Sequence, residues 1–156
     1  NYYTALAVAA GHEEEEITWL KPGPNPPDGF TEMGWEIVPS ALTTFLKRIR
    51  DDYGATDIRV TENGASYSDG PGPDGRVHDR RRIDFLWAHL NAVAEAIDQG
   101  VPVTGYFVWS ILDNFEWTLG YSQRFGLIWV DHETGERLPK DSLYWYGNVA
   151  TAHAIE

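Results

Sequence analysis

The stretch Val101-Pro102-Val103-Thr104-Gly105-Tyr106-Phe107-Val108-Trp109 restricts the fold more than any other part of the chain. It is nearly continuous in apolar residues, the pattern of a strand covered on both faces in a parallel sheet. Upstream, Asp57-Ile58-Arg59-Val60-Thr61-Glu62 reads as a short strand closed by Asn63-Gly64. Between them Ile83, Leu86, Leu90, Val93, Ala94 and Ile97 form one apolar stripe at helical spacing, and Gly100 supplies a stop. A strand, a crossover helix and a second strand imply an α/β fold with a parallel sheet.

The flanks extend this pattern. Pro39 opens a helix whose Leu42, Phe45, Leu46 and Ile49 share a face, ending at Tyr53-Gly54. Phe125 to Asp131 is a short extended segment turning at Glu133-Thr134-Gly135, and Pro139 to Ile155 reads as a closing helix. Lys21 to Gly29 holds four prolines and two glycines, which excludes helix and inner strand and makes the region a long loop of about 30 residues. A second loop, Ala65 to His78, carries Gly70-Pro71-Gly72-Pro73. Two core strands, with Asn1-Tyr2-Tyr3 as the tail of a third, cannot close a barrel and make a thin open sheet. The expectation is one part of a larger α/β domain, with no domain boundary between residues 1 and 156.

Charge and composition remove several functions. A net charge of −12, from 24 acidic and 12 basic residues, argues against nucleic acid or an anionic membrane as partner. The absence of cysteine excludes a disulfide framework, a thiolate metal site and a cysteine nucleophile. No apolar run approaches the roughly 20 residues that span a bilayer. His12, His78, His89, His132 and His153 lack metal-ligand spacing and read as surface or structural residues.

Polar residues gather where strands end. Glu62-Asn63-Gly64 closes one strand; Trp109-Ser110, with Asp113, Asn114, Glu116 and Trp117, follows the next; Asn1 and Tyr3 would end the truncated one. Active sites of parallel α/β folds are built at such carboxyl ends. Tryptophan faces stack on sugar rings while carboxylates and amides bond vicinal hydroxyls, so carbohydrate is the ligand this pattern suits. Each piece also has a plain reading: Asn63-Gly64 is a hairpin signal, tryptophan usually packs in cores, and Glu13 to Glu16 is a solvated face.

The combination is more specific. T-E-N-G at 61–64, V-W-S-I-L-D-N-F-E-W at 108–117 and R-F-G-L-I-W-V-D at 124–131 resemble the family 1 glycoside hydrolases, the β-glucosidase group. N-Y-Y-T at the start, M-G-W-E-I-V-P-S at 33–40 and R-L-P-K-D-S-L-Y-W-Y at 137–146 fit the same family in the same order. The resemblance implies the C-terminal third of a (β/α)₈ TIM barrel: the end of strand six, strands seven and eight, and their helices, incomplete alone. It implies hydrolysis of unphosphorylated β-D-glycosides with retention, through a covalent intermediate on Glu62, with Tyr3 orienting that nucleophile. Asn1, Trp109, Glu116, Trp117 and Phe125 would hold the non-reducing sugar, and Trp35 the leaving group. Relatives acting on 6-phosphorylated sugars replace the Glu-Trp pair with smaller residues and add a lysine and a tyrosine nearby; here Glu116-Trp117, Gln123 and Phe125 stand instead.

One departure is large. The family's acid/base glutamate lies in an N-E-P motif, and no N-E-P occurs in these 156 residues. The expected partners are therefore a β-glycoside and a complementary N-terminal segment or chain of the same barrel. The alternative is a carbohydrate-binding fragment or partner subunit that keeps the sugar-stacking residues without the chemistry. No cofactor is implied, because two carboxyl groups suffice, and the acidic balance fits a cytoplasmic enzyme.

Overall fold

A computed structural model describes residues 1–10, 17–20 and 29–155. The element order is β1 (Ala7–Ala10), β2 (Ile17–Leu20), α1 (Pro39–Tyr53), β3 (Ile58–Asn63), α2 (Arg80–Asp98), β4 (Val103–Val108), β5 (Ile128–Val130), β6 (Arg137–Pro139) and α3 (Asp141–Ala152). The centre is the crossover unit β3–α2–β4: β3 and β4 run parallel, with Ile58 opposite Val103 and Asn63 opposite Val108. Parallel pairing removes the hairpin reading of Asn63-Gly64.

α1 starts with Pro39 in its first turn, where the missing N–H is harmless, and stops at Gly54, whose φ of 65° lets its N–H bond back to Arg50 O at 2.9 Å. Leu42 and Leu46 of α1, Ile58 and Val60 of β3, and Ala92, Val93 and Ala96 of α2 form one core with Tyr2 and Val101. Full burial of each leucine is worth roughly 1.5–3 kcal/mol. A second core, Ala65, Tyr67, Phe85, Leu86 and Leu127, lies beneath the carboxyl ends of the strands, with Leu143, Trp145 and Tyr146 of α3 packed against it.

Five expectations need correction. β4 is not covered on both faces: Phe107 is 55% exposed and Thr104 is exposed, because β4 pairs only with β3 among the described residues. The α2 stripe is rotated, so that Arg82, Phe85, Leu86, His89, Ala92, Val93 and Ala96 are buried while Ile97 is 47% exposed. Interior partners decide that face, since Arg82 and His89 bury polar groups where bonds await them. Phe45 likewise leaves its expected stripe, being half exposed. The first loop contains an antiparallel hairpin, Ala7 opposite Leu20 and Ala10 opposite Ile17, because Ile-Thr-Trp-Leu is a β-branched and aromatic run. Finally, the turn at Gly135 (φ 77°) joins β5 to a paired strand β6, so α3 begins at Asp141 and not at Pro139. His12, Glu13 to Glu16 and Lys21 to Asp28 lie outside the described residues.

The 65–78 loop is clipped to the start of α3. His78 Nδ1 lies 2.6 Å from Asp141 Oδ2 and Nε2 lies 2.9 Å from Asp74 Oδ2, while Arg76 Nη2 donates to Asp141 Oδ1 at 2.7 Å. The Asp74 and Asp141 hydrogen bonds raise the His78 pKa above 6.5, and the His78 bond in turn lowers both carboxyls. The sign follows: the histidine's stabilisation is complete below pH 6.5 and disappears as pH rises through its raised folded value. The aspartates contribute above their ordinary pKa of 3.8 and lose that contribution as pH falls through their lowered values. An NMR titration of the His78 ring is expected to show a midpoint above 6.5, returning toward 6.5 in Asp141→Asn. A midpoint unchanged by that substitution would contradict the clip.

Candidate active site

Because β3 and β4 are parallel, Glu62 near the end of one and Trp109 just past the other open on the same side. Asn63, fully buried, knits three segments together there. Its side-chain N–H donates to Tyr2 O at 2.7 Å, its Oδ1 accepts from the Tyr106 hydroxyl, and its carbonyl accepts from Trp109 N at 2.9 Å. Tyr2 N donates to Glu62 O at 2.9 Å, so residues 1–3 lie alongside the end of β3 without forming a strand.

This places Tyr3 over the carboxylate. Its hydroxyl donates to Glu62 Oε2 at 2.8 Å. Burial is the main cause that raises the Tyr3 pKa far above the ordinary phenol range, followed by the bond to Glu62 and the charges of Glu62 and Glu116. Tyr3 therefore stays neutral and remains a donor to Glu62. Asn1 Oδ1 accepts from the Thr61 hydroxyl at 2.7 Å, which fixes Asn1 beside the same strand end.

A cavity of about 400 Å³ opens here, lined by Asn1, Tyr3, Trp35, Glu62, Trp109 and Phe125 from the strand ends and flanking loops, and by Asn114 to Trp117 from one segment. The eight residues that the family resemblance assigns to the site thus all line one space, joined by Asn114, which the sequence marks only as a polar residue at a strand end, and by Phe115, which it does not mark. Tyr3, Trp35 and Phe125 form an aromatic wall, with ring centroids 5.5 and 6.2 Å apart for Tyr3–Trp35 and Tyr3–Phe125. Trp117 begins a short 3₁₀ turn (Trp117–Leu119) at φ 41° and is 82% exposed at the rim. Gln123 does not reach the cavity; its Oε1 accepts from the Ser66 hydroxyl at 2.9 Å.

Ion pairs lie beneath the wall. Arg82 Nε donates to Asp79 Oδ2 at 2.9 Å, and its guanidinium also donates to the carbonyls of Ala65, Tyr67, Arg124 and Phe125. Asp79 accepts from Ser142 N at 2.9 Å as well, tying α3 to α2. Lys140 and Asp113 are both buried and paired at 2.9 Å. Burial pulls the Lys140 pKa down to about 8, helped by the Arg82 charge and opposed by Asp113. No local pattern marks this layer, since lysine and arginine are almost never fully buried unless paired. Among the described residues no group of three or more His, Asp or Glu side chains is placed to hold a metal ion, and no helix is long and apolar enough to cross a membrane.

Two carboxylates (Glu62 and Glu116), two amides (Asn1 and Asn114) and three tryptophans thus meet around one cavity at the strand ends of an α/β segment. The glycosyl hydrolase family 1 pattern matches residues 1–155, and the chain belongs to that family. It is similar to β-glucosidase A of Thermotoga maritima, 52% identical over 126 residues that cover 81% of this chain and 28% of the relative. A bifunctional β-D-glucosidase/β-D-fucosidase of Bifidobacterium breve is 48% identical over 97% of this chain and 32% of the relative. Among solved structures, the β-glucosidase from Thermotoga maritima in complex with deoxynojirimycin superposes with a TM-score of 0.92 at 44% identity, over 99% of this chain and 34% of that one. The chain thus spans about a third of the length of the relatives it matches.

Gly64 is the local condition for the site. A Cβ there would fall 1.9 Å from Trp109 O, so only glycine lets β3 leave its last residue this close to the Trp109 backbone. Gly64→Ala is expected to destabilise the fold by at least ~1–3 kcal/mol in urea unfolding, and to shift Trp109 fluorescence through backbone displacement. Wild-type stability in that variant would show that the close approach is not required.

Proposed function

We propose that this chain is the C-terminal part of a retaining β-glycosidase barrel, carrying the end of strand six and strands seven and eight within a single catalytic domain. Glu62 is the nucleophile and Tyr3 the residue that orients it. The observation that carries the reading is the 2.8 Å bond from Tyr3 to the Glu62 carboxylate at the aromatic-walled cavity. A neutral donor on one oxygen leaves the other free to attack, and holds the carboxylate in a single rotamer.

In the proposed reaction Glu62 forms an ester bond to the anomeric carbon as the bond to the leaving oxygen breaks. That oxygen takes a proton from an acid/base glutamate on the remainder of the barrel. Water, deprotonated by the same glutamate, then displaces Glu62 and restores it. Retention calls for about 5–5.5 Å between the two carboxyl groups. Trp109 supplies the stacking floor, Asn1, Glu116 and Trp117 hold the sugar hydroxyls, Phe125 closes the wall, and Trp35 meets the leaving group. The glycoside is unphosphorylated in this reading: two carboxylates in the cavity repel a dianionic phosphate, and among the described residues no lysine or arginine lines it.

The complementary N-terminal part would cover β4. Its side and α3 leave an apolar groove of about 280 Å³ lined by Phe107, Val108, Ile111, Leu127, Leu143 and Tyr146 among others, with Phe107 and Ile111 more than half exposed. A further strand on β4 would bury these residues and satisfy an open backbone edge.

A 2-fluoro β-glycoside inactivator is expected to label Glu62 in the assembled protein. Glu62→Gln should abolish turnover, and Tyr3→Phe should lower it about 10–100-fold, the value of a hydrogen bond to a charged group. Binding of sugar with no label would favour the carbohydrate-binding alternative. The 156-residue chain alone is expected to leave aryl β-glucosides unhydrolysed. Turnover by it alone would refute the need for a separate acid/base.

A further inference from the structure

The segment from Ser110 to Trp117 supplies four residues of the cavity wall, Asn114, Phe115, Glu116 and Trp117, yet contains no helix or strand before the 3₁₀ turn. Its backbone is held at its start, where Leu127 N donates to Ser110 O at 2.8 Å and Asp113 N donates to Ile128 O at 3.0 Å. Beyond Asp113 the next backbone bond on the segment among the described residues is local, Glu116 N to Gly120 O at 2.6 Å. Asn114 Nδ2 adds bonds to Ser110 Oγ at 3.0 Å and Leu112 O at 2.9 Å within the segment, so Asp113, three residues before Glu116, is the last residue here whose hydrogen bonds reach another element among the described residues.

Asp113 is fixed by charge. Its Oδ1 accepts from Gly126 N at 2.8 Å and from Lys140 Nζ at 2.9 Å, and its Oδ2 accepts from Arg124 Nη1 at 2.8 Å. These donors come from two places: Arg124 and Gly126, which flank Phe125, and Lys140, the residue before α3. Arg124 also donates to Val130 O at 2.9 Å and lies over the Trp129 ring at 5.2 Å, so its guanidinium is itself immobile. The packing is tight at the contact: a Cβ on Gly126 would fall 2.1 Å from Asp113 N. One buried carboxylate thus joins the Glu116 side of the cavity to the Phe125 side.

Resting on the reading of the site as a glycosidase sugar pocket, we propose that Asp113 is a positioning residue for sugar recognition, setting Glu116 against the substrate hydroxyls through the Lys140–Asp113–Arg124 bridge. It touches no substrate. Its effect should follow the hydroxyls that Glu116 holds, because Glu62, on β3, is anchored separately by Tyr3 and Asn63.

The test uses the full-length barrel enzyme and a panel of aryl β-glucosides, each lacking one sugar hydroxyl. Glu116→Gln first identifies the deoxy substrates whose kcat/KM it no longer lowers. Asp113→Asn is expected to lower kcat/KM for the parent glucoside at least tenfold and to lose most of that effect on the same deoxy substrates. Covalent labelling of Glu62 by the inactivator should persist in this variant. An equal loss on every substrate would mean Asp113 serves stability alone and would overturn the proposal. Should Asp113→Asn not fold, Arg124→Lys, which keeps the charge but loses the planar fork, is read on the same panel: a matching pattern supports the bridge, and a uniform loss or none overturns it. An inactive, unlabelled wild-type enzyme would instead refute the glycosidase reading itself, so the two failures are distinct.

Discussion

The parallel pairing of β3 with β4 is the constraint on which the remaining structure depends. It requires a crossover, which α2 provides by packing Ala92, Val93 and Ala96 against Ile58, Val60 and Val101. It also brings the two carboxyl ends together, which no antiparallel arrangement of the same strands would do. Glu62, Asn63 and Trp109 meet because of it, and the Asn63 side chain then recruits Tyr2, which carries Tyr3 to Glu62. A chemical pair 59 residues apart in sequence is thus produced by one sheet register and one amide.

Beneath this end the interior is ionic as well as apolar. Arg82 neutralises Asp79 and also satisfies four carbonyls of the loops that follow β3 and precede β5. Asp113 does the converse, gathering three donors from two segments. Loops cannot satisfy their backbone by laddering, so a buried multidentate charge is an effective way to give them one geometry. Such charges are costly to strand, which makes these loops rigid or misfolded with little between. The walls of the cavity, Phe125 and Glu116, both hang from that layer.

Several elements were legible in the residue pattern: Pro39 and Gly54 bracket α1, Gly100 ends α2, and the β3–α2–β4 order declares a crossover. The site residues were legible through motifs, which kept Glu62 beside Asn63-Gly64 and Glu116 beside Trp117. Other features were not. The α2 face could not be chosen from hydrophobicity, since Ile97 lies outside while Arg82 and His89 lie within. The covering of β4 was misread because an apolar run announces what a strand can bury and not what stands opposite it. Asn114 and Phe115 line the cavity from a segment without helix or strand, whose path no periodicity in the residues could announce.

By itself the sequence determined the α/β alternation, both ends of α1 and the stop of α2, the family and the identity of the polar residues at the strand ends, because these are written in local periodicity, turn chemistry and contiguous motifs. Tertiary structure alone decided that Tyr3 donates to Glu62, that Gly64 must have no side chain, and that Asp113, Lys140 and Arg124 form one buried bridge. The reason is physical: each of those depends on the separation of atoms brought together from distant positions, and only the packed chain sets that separation.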